Sequence, residues 1–241
     1  MGQLRSEAWV FCTLVIALVL TLLVAGAGYA QPSAPPADVA SFLHSLVGEW
    51  IGTCIQSTDG KAADNKYFHA VIKQSGPDTY ETVFEYYRLD PQTGAPIKVG
   101  ATTMVTTVAA GGTATNRITG RADVLIDPTT LKPEQHDLSE VLRVSSSGGL
   151  EGTGSGSIKV SGMSLGLGKH GTVQDYRSTW SQSNGVLSLS QHLNVKFKVL
   201  FFSKRFIIIA DYTARHGSDI VGLMKSAAAN VNHRVSAASR R

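Results

Sequence analysis

The chain has 241 residues, 43% hydrophobic and 17% charged, with a formal net charge of +4. Its two cysteines, Cys12 and Cys54, exclude a disulfide framework: Cys12 falls in an apolar leader, and the one that remains cannot form an intramolecular bridge. The charge is uneven. From Gln31 to Val195 there are 12 Lys/Arg against 15 Asp/Glu, whereas Lys196 to Arg241 holds 9 against 2. A basic end after an acidic body suits an anionic membrane surface, and a solvated basic face and tail is the ordinary alternative. Export, read from the leader below, makes nucleic acid a poor partner.

Residues 1–30 have the form of a secretion signal. Arg5 supplies the positive start, Ala8 to Val24 is almost unbroken apolar sequence, and Ala25 to Ala30 offers small residues for cleavage. An uncleaved anchor is the alternative, because the apolar run approaches the roughly 18 residues of a spanning helix. Residues 31–38, with Pro32, Pro35 and Pro36, form a proline-rich linker. Residues 39–232 are then expected to form one domain, and residues 233–241 a basic tail.

The domain opens with a short helix over Val39 to Leu46, with Asp38 or Ser41 as cap and Phe42, Leu43 and Leu46 on one face. The strand Gly48-Glu49-Trp50-Ile51-Gly52 follows directly. A tryptophan between two glycines suits a large aromatic plugging the start of a closed sheet where backbones approach closely.

After the turn Asp59-Gly60-Lys61, the segments alternate with period two. Thr79 to Arg88 sets Tyr80, Phe84 and Tyr86 on one face and Glu81, Glu85 and Tyr87 on the other. Asp90 to Gly94 is a turn, Val99 to Val108 and Thr113 to Thr119 are strands, and Arg121 to Ile126 and Glu140 to Val144 are shorter ones. Gly148 to Gly171 holds nine of the 24 glycines and reads as a glycine-rich hairpin.

Thr172 to Gln182 places Tyr176 and Trp180 on one face. Ser183-Asn184-Gly185 is the strongest hairpin signal, since Asn-Gly accepts the positive φ of a type I′ turn. Val186 to Leu193, Val195 to Phe202 and Phe206 to Thr213 complete the strands. Ser218 then caps a C-terminal helix with Ile220, Val221, Met224, Ala228 and Val231 on one face. The expected fold is mainly β: a single antiparallel barrel of about 8–10 strands, with a short helix at each end.

The Gly48-Glu49-Trp50 opening before this meander resembles the Gly-x-Trp start of lipocalins and other calycins. That resemblance implies a calycin-like barrel whose tryptophan closes one end, often under a basic residue from a late strand; Arg205 or Arg215 would supply it. Gly48-Glu49-Trp50-Ile51-Gly52 is similar as well to the opening of nitrobindin-type haem barrels, which would imply one histidine as an iron ligand, with His192 and His216 best placed.

The chemistry legible in the residues is sparse. The seven histidines make no close helical pair and no cluster with cysteine, so no metal site and no cofactor are assigned. Cys54 is a small buried residue or, paired with a histidine, a nucleophile. Glu81 and Glu85 stand roughly 13 Å apart along one strand face, too far for paired acid–base work. The aromatic set Trp50, Tyr80, Phe84, Tyr86, Tyr176 and Trp180 is core, and in a barrel the core is also the lining of the cup.

The expectation is a secreted or periplasmic barrel that binds a small hydrophobic molecule in its lumen, with no catalysis assigned. The alternatives are an envelope-associated interaction protein, held by the basic end or by a retained leader, and an enzyme or haem protein on the same barrel.

Overall fold

The computed structural model describes residues 38–90, 92–121, 132–161, 167–199 and 202–227. The leader, most of the linker, Ala228, Val231 and the basic tail lie outside the described residues, as does most of the strand expected from Arg121 to Ile126.

Helix α1 (Val39–Ser45) begins where Asp38 stops being helical: Asp38 is extended at φ −153°, and its Oδ1 accepts the Ser41 N–H at 2.7 Å. This satisfies one of the donors that the first helical turn leaves open, so Asp38 and not Ser41 is the cap. Ten strands follow, β1 (Gly48–Thr58), β2 (Lys61–Gly76), β3 (Thr79–Leu89), β4 (Pro96–Ala109), β5 (Thr113–Arg121), β6 (Lys132–Val144), β7 (Leu150–Ser161), β8 (Leu167–Ser183), β9 (Val186–Val199) and β10 (Phe202–His216).

Each strand pairs antiparallel with its neighbours in sequence, and β1 also pairs with β10, so the sheet is a closed barrel. A second helix, α2, covers residues 220–227. Its first-turn partner is Asp219, whose Oδ1 accepts the Gly222 N–H at 2.8 Å, in place of the expected Ser218.

Turn chemistry fixes the hairpins as the sequence implies. Asn184 and Gly185 take φ values of 52° and 73°, the left-handed pair that a two-residue turn between β8 and β9 requires. Asp59 does further work across the seam: its N–H donates to the Ile207 carbonyl and its Oδ1 accepts the Ile207 N–H, both at 2.8 Å. The break expected between Leu193 and Val195 is absent, because β9 runs through both as one strand from Val186 to Val199. The segment expected from Glu140 to Val144 is the end of a longer strand, β6.

Alternation decides what fills the lumen. Along β3, Tyr80, Thr82, Phe84 and Tyr86 are buried, while Glu81 is exposed and Glu85 half-buried on the outside. Because the strands are antiparallel, α1 and the turns β2–β3, β4–β5, β6–β7 and β8–β9 share one end of the barrel, and the opposite strand ends form the far end.

At the α1 end, Trp50 is fully buried and its Nε1 donates to the Leu46 carbonyl at 2.8 Å. That bond satisfies both an indole N–H and a carbonyl at the end of α1. The Tyr80 hydroxyl reaches the Ala40 carbonyl at 3.4 Å, so strand and helix are tied at a second point. Close passage of β1 against β10 requires Gly52, where a Cβ would overlap the Thr213 carbonyl.

The side chain lying on Trp50 is not an arginine. Arg205 and Arg215 are exposed. His216, opposite Trp50 in the β1–β10 register, stacks on the indole with ring centroids 3.7 Å apart.

Replacing Trp50 with Ala should remove about 3–5 kcal/mol of stability, the cost of truncating a fully buried large aromatic. Urea unfolding followed by circular dichroism checks this, and a loss below about 1 kcal/mol would show that Trp50 does not plug the barrel.

Candidate functional site

Below the plug, the lumen holds a layer of polar side chains bonded to one another. Glu140 on β6 is almost wholly buried; its Oε1 accepts from Asn116 Nδ2 at 2.7 Å and its Oε2 from the Ser178 hydroxyl at 2.5 Å. The Thr106 hydroxyl donates to Asn116 Oδ1 at 3.1 Å, and Trp180 Nε1 donates to Ser178 Oγ at 3.3 Å. Gln191 Nε2 donates to the Tyr176 hydroxyl at 2.8 Å. Burial pushes the Glu140 carboxyl up from its ordinary range, and the bonds from Ser178 and Asn116 pull it back only in part. Room for this carboxyl is made by Gly152 on β7, where a Cβ would overlap both Glu140 and Ser178.

Farther from α1 the lumen is not filled. A cavity of about 50 Å³ lies there and opens to solvent. One water needs roughly 10–15 Å³ of such space, so the cavity takes about four water-sized groups, or a short chain, without rearrangement. Its wall is apolar at Met104, Ile118, Leu138, Ile158, Leu193 and Ile208, and polar at Gln56, Lys66, Thr102, His136 and Gln191. Cys54, Tyr86 and Tyr212 complete one side.

The two phenols are within 3.4 Å of each other through their hydroxyls, and burial raises both well above the ordinary tyrosine range. His136 Nε2 lies 3.3 Å from the Thr102 hydroxyl. Burial lowers the imidazole to about 4, so it is neutral at pH 7. A wider depression of about 310 Å³ sits on the outer face of β2 and β3. It is an open groove between charged side chains, whereas the lumenal cavity lies among buried, mainly apolar side chains inside the barrel, and that setting favours the lumen as a binding site.

The six aromatics expected to line the cup divide between these layers. Trp50, Tyr80 and Trp180 belong to the α1 end, Tyr176 to the polar layer, and Phe84 packs against Phe68 and Tyr86 with centroids 5.6 and 6.2 Å apart. Tyr86 alone of the six lies on the cavity wall.

Neither histidine singled out for haem faces the cavity: His192 alternates with the buried Gln191 and Leu193 and so points outward, and His216 stacks on Trp50. The lumenal imidazole is His136, and the cavity beside it is far smaller than a haem macrocycle. Among the described residues no group of three or more His, Cys, Asp or Glu is placed to hold a metal ion, and no helix is long and apolar enough to cross a membrane.

No family model matches the chain, and no curated protein matches it. A crystal structure of Rv2717c from M. tuberculosis is similar at 13% sequence identity and a TM-score of 0.44, covering 73% of this chain and 95% of that one.

Two buried groups set opposite pH dependences. His136 is neutral in the fold and titrates near 6.5 when unfolded, so the stability it contributes above pH 6.5 is lost as pH falls towards about 4, by at most about 3 kcal/mol. Glu140, raised in the fold, contributes stability below its ordinary value of 4.5 and loses it as pH rises through the folded value. Urea midpoints between pH 4 and 8 should therefore respond in two ways. His136→Gln flattens the acid limb, and Glu140→Gln gains stability relative to the parent at pH 8. Variants with the parent's pH profile would show that neither group titrates differently in the fold.

Proposed function

We propose that this barrel binds a small, largely apolar molecule in the far half of its lumen. The observation that carries the reading is the lumenal cavity, in which a buried apolar wall meets a few polar groups. Apolar burial supplies most of the affinity of such a site, and the polar groups set orientation. The fold is compatible with the calycin-like reading of Gly48-Glu49-Trp50, although the side chain on the tryptophan here is His216 and not an arginine. The wall is mainly hydrocarbon, which supports a binding protein as the reading.

Straight-chain alcohols from butan-1-ol to hexan-1-ol are suitable probes for a cavity of this size. They should perturb the methyl resonances of Met104, Ile118 and Leu193 in a saturable way. Ala210→Phe, which adds a ring on the cavity wall, should abolish those shifts while leaving the circular dichroism spectrum unchanged. Shifts scattered over the outer surface, or insensitive to Ala210→Phe, would refute lumenal binding.

Residues 1–30 support export with cleavage near Gln31 as part of this proposal, giving a secreted or periplasmic protein. A second reading, association with an anionic membrane surface, is supported by the outer face of β9 and β10. There Lys196 pairs in register with the exposed Arg205, and Ile207 and, on β1, Ile55 are 45% and 55% exposed. Exported protein should have a mass beginning near Gln31. Under the second reading it should also co-sediment with phosphatidylglycerol vesicles at 20 mM salt and be released at 500 mM. Binding to neutral vesicles alone, or none at either salt concentration, would remove the membrane reading.

A further inference from the structure

Four uncharged polar side chains come together on the wall of the lumenal cavity: Tyr86, Thr102, His136 and Tyr212. Tyr212 on β10 and Tyr86 on β3 point their hydroxyls at each other, 3.4 Å apart. Cys54, opposite Tyr212 in the β1–β10 register, is small and lies close to both phenols. Thr102 and His136 meet because the strand between them carries no side chain. Both pair in register with Gly120 on β5, one from β4 and the other from β6. Gly120 has φ 153°, and a Cβ there would overlap the Ala101 carbonyl, so the position requires glycine. Thr102 Oγ1 and His136 Nε2 are then 3.3 Å apart.

Both contacts are long. A well-made bond from a hydroxyl spans roughly 2.5–3.0 Å, and buried polar groups are ordinarily bonded at such distances. Each pair therefore keeps hydrogen-bonding capacity that a group entering the cavity can take up. The two phenols hold two O–H protons, and their mutual contact uses one. Burial keeps both phenols protonated at neutral pH, so they act as donors. Thr102, beside Tyr86, brings a proton of its own and already stands against His136, while the Cys54 thiol is a weak acceptor. One phenol proton is thus left for a strong acceptor on a ligand.

We infer that the lumenal ligand is a small neutral carbonyl compound, a short ketone or ester, whose oxygen accepts from Tyr86 and Tyr212 and whose chain lies among Met104, Ile118 and Leu193. The inference rests on the lumenal-binding reading above and adds to it the chemical class of the ligand and the residues that receive its head. A carbonyl oxygen has two lone pairs, so both phenol protons can turn to it, and it brings no donor that would itself need burying. A hydrocarbon would leave the phenol proton unused, and a charged head would have to shed its water beside the apolar wall. The cavity of about 50 Å³ selects a short chain.

The test uses the full chain and butan-2-one carrying a carbon-13 label at its carbonyl. Methyl NMR reports binding, and the infrared carbonyl band reports what the oxygen touches. The bound band should lie at lower wavenumber than the band in hexane. Tyr86→Phe and Tyr212→Phe should each move it back towards the hexane position and weaken binding by about three- to tenfold, the loss of one hydrogen bond. Circular dichroism checks the fold of both variants, and should one fail to fold, the other and the parent's band decide. A bound band at the hexane position, a band that neither variant moves, or alcohols binding where butan-2-one does not would overturn the carbonyl inference and leave lumenal binding standing. Failure of butan-2-one and the alcohols alike to shift the lumenal methyls would overturn both.

Discussion

A sheet of ten strands that closes on itself must deal with a lumen wider than one layer of side chains fills. Eight strands give an interior that side chains just occupy, and each added strand widens it. In this protein the seam between β1 and β10 makes the closure, and Gly52 is what lets the two backbones meet there. Trp50, on the same strand, then closes the α1 end by filling the lumen and bonding to Leu46. Every other feature of the interior follows from how far that plug reaches.

The lumen is consequently layered. Next to α1 it is aromatic and aliphatic, held by packing and by the bonds of Trp50 and Tyr80 to carbonyls of the entry helix and its end. The middle is polar, and it is tolerable because its members bond to one another: Glu140, Asn116, Ser178, Thr106 and Trp180 form one connected set. A buried carboxyl in such a set costs stability at neutral pH, yet it fixes side-chain orientations that an apolar layer would leave free. The far layer is incompletely filled, and there the buried Lys66 and His136 share one wall with hydrocarbon. A barrel optimised for stability alone would fill that space; this one does not.

Much of the architecture was legible in the residues. Period-two alternation from Thr79 to Arg88 assigned inside and outside correctly, and Asn184-Gly185 located a hairpin because few other pairs accept two positive φ values. The short entry helix was legible for the same local reasons, and of its two candidate caps, Asp38 and Ser41, the structure uses Asp38. The site was less legible. Aromatic side chains mark a core wherever it is, so the six chosen from sequence were spread over the plug, the polar layer and the cavity, and Tyr86 alone reached the cavity wall.

Lys66, His136 and Gln191 were passed over because polar residues on a strand read as solvent-facing. Their parity with Phe68, Leu138 and Leu193 was the available signal, and it becomes usable only once closure into a barrel is known. The arginine expected on Trp50 failed because register, not residue type, decides which side chain meets the indole. That register brings His216 there.

The central claim is that the far half of the lumen is a real, enterable cavity while the α1 half is sealed. A crystal of the exported protein pressurised with xenon tests it directly, since xenon enters apolar cavities without needing a specific ligand. The claim predicts one strong xenon site among Met104, Ile118 and Leu193, and none beside Trp50. Xenon beside Trp50, or a lumen closed at Met104 by side chains meeting across it, would contradict the claim.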